Sequence, residues 1–394
     1  MIKKDRNLYI IALIAMVNML GYGIIIPLLY SYSKRFGLSE FENGLLFAMF
    51  SICQFISTPI IGRMSDKYGR KPLLIISLAG TALSFFIMAF APNASFLYLA
   101  RALDGLTAGN IPVIFAAISD STKPQDRAKA FGKIGAAFNF GFVFGPAIAA
   151  FTVIYNESLP FIIAGVVTII SVLLTYFYLP ETNKNIGQMQ SGKLFDIPML
   201  WHTLFDKTIG TAFIISLIYF LAFSCAIIYG FQPFTINILN ISPSENAIIF
   251  TIFGLVGLIT QSYLIQWFSN RYGIKKLFTY GMFLTAIAYI VMGLSPNLAI
   301  FIFATVFLAI VNSLIQTLLP TIISQQADEK SQGSVMGLNA SYQSIGMIFG
   351  PIIGGAIATK SIRLTFIVGS ILVLMCFALS LKNYRPNNNT NTTN

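Results

Sequence analysis

Charge is what this chain has least of. Only 10% of its 394 residues are Asp, Glu, Lys or Arg, against roughly 25% in soluble domains. A water-facing surface cannot be assembled from so few, so lipid is the solvent for most of the chain. Histidine is almost missing. The single residue, His202, falls outside every long apolar run, which excludes a histidine proton relay through the hydrocarbon. Cysteine is scarce too: Cys53, Cys225 and Cys376 sit in apolar runs with no metal or redox spacing. No Walker-type phosphate loop occurs, so ATP is not the energy source within this chain. With no nucleophile–base pair and no metal-ligand cluster, an enzyme reading has no support, and no bound cofactor or metal is expected.

What the sequence does contain is length and apolarity, with 56% of residues hydrophobic. Backbone polar groups in lipid must be paired internally, which leaves helices or closed barrels. A barrel shows alternating segments of about 10 residues. Here the apolar runs are continuous and near 20 residues long, enough to cross about 30 Å of hydrocarbon. The fold class is therefore an all-α membrane protein with twelve transmembrane helices. They are expected near residues 8–30, 44–63, 71–91, 95–120, 128–154, 159–179, 209–236, 244–268, 275–294, 297–323, 333–358 and 363–382. The leading MIKKDR and its apolar run show no small-x-small cleavage site, so the run reads as a retained first helix.

The net charge of +11 does not point to nucleic acid, because the cations sit in short loops between spans. With the N-terminus inside, twenty Lys and Arg fall in inner segments. Four, Lys34, Arg35, Lys360 and Arg363, fall in outer ones, and Arg101 lies within a helix. That bias predicts a multi-pass protein of the cytoplasmic (inner) membrane with both termini cytoplasmic. The bilayer and a small-molecule substrate are the expected partners, for a protein acting as a monomer. Residues 1–179 form a first six-helix bundle, 180–208 a cytoplasmic linker and 209–382 a second bundle. Residues 383–394 form an Asn/Thr-rich tail expected to be disordered.

The two halves repeat. Asp66-x-x-Gly69 aligns with Asn270-x-x-Gly273 at an offset of 204, which also carries Pro92 onto Pro296. Gly132, Gly141, Gly145 and Pro146 match Gly337, Gly346, Gly350 and Pro351 at an offset of 205. Two pseudo-symmetric bundles in the same orientation follow. Such halves bind substrate between them near the midplane and alternate access by rocking.

At these residues the chain resembles the major facilitator superfamily. GRMSDKYGRKPLL (62–74) is similar to that family's loop between its second and third helices, and ARALDGLTAG (100–109) to its Arg-bearing fourth helix. Gly132-x8-Gly141-x3-Gly145-Pro146 resembles the fifth-helix motif of twelve-helix drug:proton antiporters of the tetracycline and multidrug type. Ala149-Ala150 stand where that motif ends in Gly-Gly, while Gly354-Gly355 complete the second copy. The resemblance implies a secondary active exporter of small amphiphilic compounds, exchanged for protons. It also implies a gating role for the loop. Tetracycline-type exporters carry an Asp in the first helix where Asn18 stands here, so either Asp104 takes over proton coupling, or coupling works differently, or the chain is not an antiporter.

Each candidate residue has a plain reading beside the functional one. In the loop, Gly62, Asp66, Gly69 and Arg70 mark either a gate or only the cytoplasmic face. Asp66 would stabilise a closed state by roughly 0.3–1 kcal/mol against a helix N-terminus, in the family that of the eleventh helix. Arg70 is placed to pair with Asp120 at the inner end of the fourth helix. The Gly-Pro helices read as a tight, bent pair between the halves, because small residues four apart let backbones approach and proline kinks a helix. Arg101 and Asp104, three apart, share one helix face. Asp104 is the one acid placed well inside a span, where ionisable groups are expensive and usually functional. It is either the proton carrier or half of a permanent ion pair; burial and Arg101 act on its protonation in opposite senses. Asn18, Gln54, Asn139, Tyr229, Gln232, Gln261, Asn312, Gln316, Asn339 and Gln343 are candidates for the substrate cavity, or for inter-helix glue. An importer or uniporter of a small nutrient or metabolite on the same fold, and a non-transporting receptor or lipid-handling protein, remain the alternatives.

Overall fold

The computed structural model describes residues 2–184, 186–187, 197–206, 209–326 and 332–382. The expected tail and much of the expected linker, Lys193 included, lie outside them. Among the described residues twelve long helices follow one another: α1 Ile2–Ile25, α2 Glu40–Tyr68, α3 Arg70–Ala89, α4 Ala94–Ser121, α5 Arg127–Thr152, α6 Leu159–Tyr178, α7 Gly210–Asn237, α8 Pro243–Tyr272, α9 Ile274–Leu294, α10 Leu298–Gln325, α11 Gln332–Ala358 and α12 Arg363–Lys382. Among the described residues no strand occurs. Eleven of the twelve are long and apolar enough to cross a membrane. The other, α11, has 27 residues, so length is not what it lacks. Its many Gly, Ser, Asn and Gln residues dilute its hydropathy.

Matching local devices recur within one residue of the repeat offset of 204. Ser39 and Glu42 close a capping box at the start of α2, each side chain bonded to the other's backbone N–H at 3.3 and 2.8 Å. Ser242 and Glu245 do the same for α8 at 3.2 and 2.8 Å. Such boxes satisfy N-terminal donors that a helix leaves orphaned. Asn93 and Asn297 cap α4 and α10 through backbone N–H groups at 3.0 and 3.1 Å. Gly69 and Gly273 end α2 and α8 at φ of +103° and +77°, a region that only glycine enters without strain.

Four spans depart from uniform helices. The first ends at Ile25, and a separate short helix, Leu29–Lys34, follows it. The seventh and eighth each contain a π-helical turn, Ser224–Tyr229 and Thr260–Leu264. The fourth breaks between Thr107 and Ile111. Its cause is local: Pro112 has no N–H to give the carbonyl of Ala108. Neighbouring helices supply the missing donors. Gln54 Nε2 reaches Ala108 O at 3.3 Å, Ser57 Oγ reaches Gly105 O at 3.0 Å, and Ser77 Oγ donates to Thr107 O.

The chain divides into two compact units. The first comprises Met1–Phe195, Ile227–Leu255 and Pro351–Ile362; the second comprises Asp196–Ala226, Val256–Gly350 and Arg363–Asn394. In the first, Ile11, Ile14, Leu78, Ile114, Ile118 and Ile134 form a fully buried apolar core. Within lipid this burial gains dispersion contacts rather than escape from water.

The motif glycines at 141, 145, 346 and 350 do not form the expected pair between halves. A Cβ on Gly145 would stand 2.6 Å from Leu20 O and 2.9 Å from Gly23 Cα, and one on Gly141 2.8 Å from Leu20 N. These glycines therefore seat α5 on α1, the first helix of its own half. In the second unit Gly346 and Gly350 seat α11 on Leu217–Cys225 of α7 in the same way. The end of the second motif does approach the other half, as expected, where Pro351 and Gly355 of α11 meet Gly44 backbone on α2. Repeated hydrogen-bonded helices crowd where both surfaces lack side chains, and the motif glycines happen to face α1 and α7. Gly132 and Gly337 have nothing within 4 Å of such a Cβ.

Candidate functional site

Arg101 and Asp104 sit on the turn of α4 before its break. Arg101 Nη1 donates to Asp104 Oδ2 at 3.2 Å, and both side chains are more than nine-tenths buried. The Arg101 guanidinium stacks 4.4 Å from the centroid of Phe50 on α2. The ring face supplies negative potential that lowers the cost of burying the cation, by about 0.5–2 kcal/mol. Tyr22 of α1 continues this aromatic wall, 5.8 Å from Phe50. Two buried donors near this helix break, Arg101 Nε and Asn110 Nδ2, have no partner among the described residues. Thr107 Oγ1 contacts Thr81 Oγ1 at 3.3 Å, one turn from Asp104. An ionisable pair beside interrupted helix, with spare donors, can exchange partners as the surrounding helices shift.

Asn18 lies close by. Its Nδ2 donates to Asn110 Oδ1 at 2.8 Å, so a neutral amide pair joins α1 to the break in α4. Asn139 is on α5 and also partnered. In the second unit, Tyr219 OH donates to Asn312 Oδ1 at 2.6 Å and Gln316 Nε2 lies 3.4 Å from the same oxygen. Ser216 Oγ donates to Asn339 Oδ1 at 2.7 Å. These bonds join α7 to α10 and α11. Gln343 is half-buried on α11 and Gln261 exposed in the π-turn of α8. Tyr229 and Gln232 are fully buried and engage residues 26–40: Gln232 Nε2 donates to Ile26 O, its Oε1 accepts from Tyr30 N at 3.1 Å, and Tyr229 OH donates to Glu40 Oε2 at 2.8 Å.

The loop between α2 and α3 forms a second cluster. Arg70 bridges Asp66 at 2.6 Å and Asp120 at 3.2 Å, so its expected partner on α4 is in place. Glu181, which falls at the start of the expected linker, completes the cluster. Glu181 Oε1 accepts from Arg70 N at 2.9 Å and Oε2 from Lys71 N at 3.1 Å. This carboxylate caps the N-terminus of α3, where the helix dipole favours a negative charge. Gly69 leaves the room, because its missing Cβ would lie 2.8 Å from Glu181 Cδ. Asn183 Nδ2 and Gly187 N then donate to Asp66 O at 3.2 and 3.3 Å, tying the segment after α6 to the loop. Nothing in local spacing links Glu181 to Gly69; only Pro180-Glu181-Thr182, closing an apolar run, marked it as a helix-end acid.

Comparison with known proteins agrees with this architecture. The family model described as Major Facilitator Superfamily matches residues 11–224 and again 211–394, one match per half. Multidrug resistance protein 2 of Bacillus subtilis is 28% identical over 397 residues, covering 96% of each chain. The class C tetracycline resistance protein of Escherichia coli is 27% identical, covering 95% of this chain and 96% of its own. Among solved structures, the nucleoside transporter NupG superposes with a TM-score of 0.80 at 14% identity, covering 98% of this chain and all of that one, which shows the shared fold.

Proposed function

The chain belongs to the Major Facilitator Superfamily, a multi-pass membrane transporter rather than an enzyme, and from that premise we propose that it exports small amphiphilic compounds in exchange for protons. The observation that carries the reading is the buried Arg101–Asp104 pair at the break of α4. A carboxylate held there can exchange Arg101 for a proton when the helices shift, and the pair then reports which side the cavity faces. The full-length likeness to multidrug and tetracycline resistance proteins supports export. Thirty-six Phe, 17 Tyr and 13 Met residues supply walls that adapt to varied apolar ligands. Asn312, Gln316, Asn339 and Gln343 are the amides offered for orientation.

The same reading places both termini at the cytoplasmic face of the inner membrane. Three of the four cations on the other side are engaged locally, which is consistent with their standing outside the charge bias. Lys34 pairs with Glu40 at 2.8 Å, Arg35 pairs with Glu157 at 2.9 Å, and Arg363 Nη1 caps Gly293 O at 2.7 Å. Everted membrane vesicles test the function. With respiration acidifying the lumen, a tetracycline or a lipophilic cationic dye should accumulate, and a protonophore should abolish the uptake. Accumulation that survives the protonophore removes proton exchange. Faster entry into intact expressing cells than into control cells replaces export with import.

The α2–α3 loop serves as the gate in this scheme. Asp66→Asn should insert normally and cost stability about 1 kcal/mol or less, because the Asp66–Arg70 pair is partly solvated and Arg70 keeps Asp120. Its transport rate should nevertheless fall several-fold. A normal rate in the same vesicles assigns the loop to topology alone.

A further inference from the structure

The break in α4 leaves its two ends in different states. Three carbonyls before it are taken up by side chains of other helices: Ala108 O by Gln54 Nε2 at 3.3 Å, Gly105 O by Ser57 Oγ at 3.0 Å, and Thr107 O by Ser77 Oγ. After it a new helical stretch begins, Ile111–Ser121, 11 residues long. The first N–H groups of a helix have no partner within it. Asn110, the N-cap here, makes no side-chain capping bond to them. Nor is the Asn110 amide used up. Its Oδ1 accepts from Asn18 Nδ2 of α1 at 2.8 Å, while its Nδ2 is fully buried and has no partner among the described residues. The carbonyl end of the break is thus satisfied and the N–H end open. A buried N–H left unpaired is costly, and the fold does not require it. At the repeat offset of 204, Leu314 of the unbroken α10 stands in place of Asn110.

The open end has a definite chemistry. A helix start carries about half a positive charge, and its N–H groups suit an oxygen anion. Half-helix starts in interrupted spans of transporters hold substrate carboxylates in this way. Pro112 brings no N–H, and Ile114 N donates to Asn110 O at 3.0 Å. The donors on offer are therefore the N–H groups of Ile111 and Val113 and the Asn110 Nδ2. Asp104, the nearest acid along α4, is engaged by Arg101 at 3.2 Å and does not compete for them. Asn18 and Ile111 are half-buried and Pro112 is exposed, so the break lies beside accessible surface.

We propose that the start of the Ile111–Ser121 stretch, together with Asn110, is a subsite for an oxygen acceptor on the transported compound: a carboxylate, enolate or carbonyl oxygen. Asn18 fixes the Asn110 amide by its oxygen, which leaves the nitrogen for the ligand. The proposal rests on the reading as an exporter of small amphiphiles and deepens it. Adaptable aromatic walls accept many apolar shapes; a set of fixed donors selects among them by chemistry.

The test measures equilibrium binding to the full chain in lipid nanodiscs with two probes of opposite kind. Tetracycline presents enolate and carbonyl oxygens. Tetraphenylphosphonium is bulky and apolar and has no oxygen. Asn110→Leu should weaken tetracycline binding roughly tenfold, the worth of one hydrogen bond to a charged acceptor, and leave tetraphenylphosphonium binding unchanged. Asn110→Asp separates a subsite from a structural role. It matches Asn110 in size, still accepts from Asn18 Nδ2 and is a favoured N-cap, so the melting temperature should hold. It has no donor, however, and it repels an anionic oxygen. Tetracycline should bind it more weakly than it binds Asn110→Leu, while tetraphenylphosphonium should bind at least as well as to the wild type. The proposal is overturned if either variant keeps the wild-type affinity for tetracycline, if both probes weaken together, or if the wild type does not bind tetracycline. Tetracycline that binds and is lost as expected, yet never accumulates in energised vesicles, would strike the export reading and leave the subsite in place.

Discussion

Asp104→Asn protein should reach the membrane, bind substrate and fail to build any gradient. Asparagine matches aspartate in size, and its Oδ1 still accepts from Arg101 Nη1, now 3.2 Å from the carboxylate. What it cannot do is exchange that guanidinium for a proton. The accumulation ratio in energised vesicles should fall to unity, while exchange of labelled for unlabelled substrate persists. The variant also leaves the Arg101 charge buried and uncompensated. Breaking a buried pair costs about 3–5 kcal/mol, so the melting temperature in detergent should drop as well. Arg101→Lys separates the two effects. It keeps the charge and gives up the stacked guanidinium, so it should lose stability while retaining some proton-driven uptake. Proton-driven uphill uptake by Asp104→Asn would leave the pair with a purely structural role.

The second large effect is steric. Gly145→Leu should prevent a stable fold, and Gly145→Ala should already cost about 1–3 kcal/mol, the usual penalty of overpacking. A Cβ at 145 meets Leu20 O at 2.6 Å and Gly23 Cα at 2.9 Å. Both are backbone atoms of α1, with no rotamer to turn aside, so α1 has to move away along its length. Gly350→Ala should behave alike in the other half, where Leu221 O stands at 2.7 Å and Cys225 N at 2.9 Å. Gly132→Ala is the control: nothing lies within 4 Å, and stability should stay within about 0.5 kcal/mol. Melting curves of the purified variants, with vesicle transport of those that fold, check the series. Equal tolerance at 132 and 145 would contradict α5 packing on α1 through the motif.

Several features were legible because they are local. Hydropathy over about 20 residues places a span whatever surrounds it, and the capping boxes Ser39–Glu42 and Ser242–Glu245 need only a three-residue spacing. Arg101 and Asp104 pair along one helix face for the same reason. The offset of 204 needed only comparison of the sequence with itself, and the structure returns it as paired caps at Asn93 and Asn297. Arg70 finding Asp120 was also readable, since two helix ends at one membrane face bring opposite charges together.

The tertiary structure decided everything that depends on which helix faces which. The chain writes Gly141, Gly145, Gly346 and Gly350 as small residues four apart, but not that α1 and α7 are their neighbours, because a small residue carries no mark of its partner. Pro112 announces a lost hydrogen bond, yet the donors that repair the break, Gln54, Ser57 and Ser77, come from two other helices. Tyr229 and Gln232 read as two more polar groups in an apolar run. Their partners, Glu40, Ile26 and Tyr30, are 189 to 206 residues away, beyond the reach of any helical period. Periodicity along the chain fixes where a helix runs and which face is apolar. The partner of a buried polar group is chosen by packing, since inside lipid each such group must find whichever complementary atom the folded bundle brings within 3 Å or so.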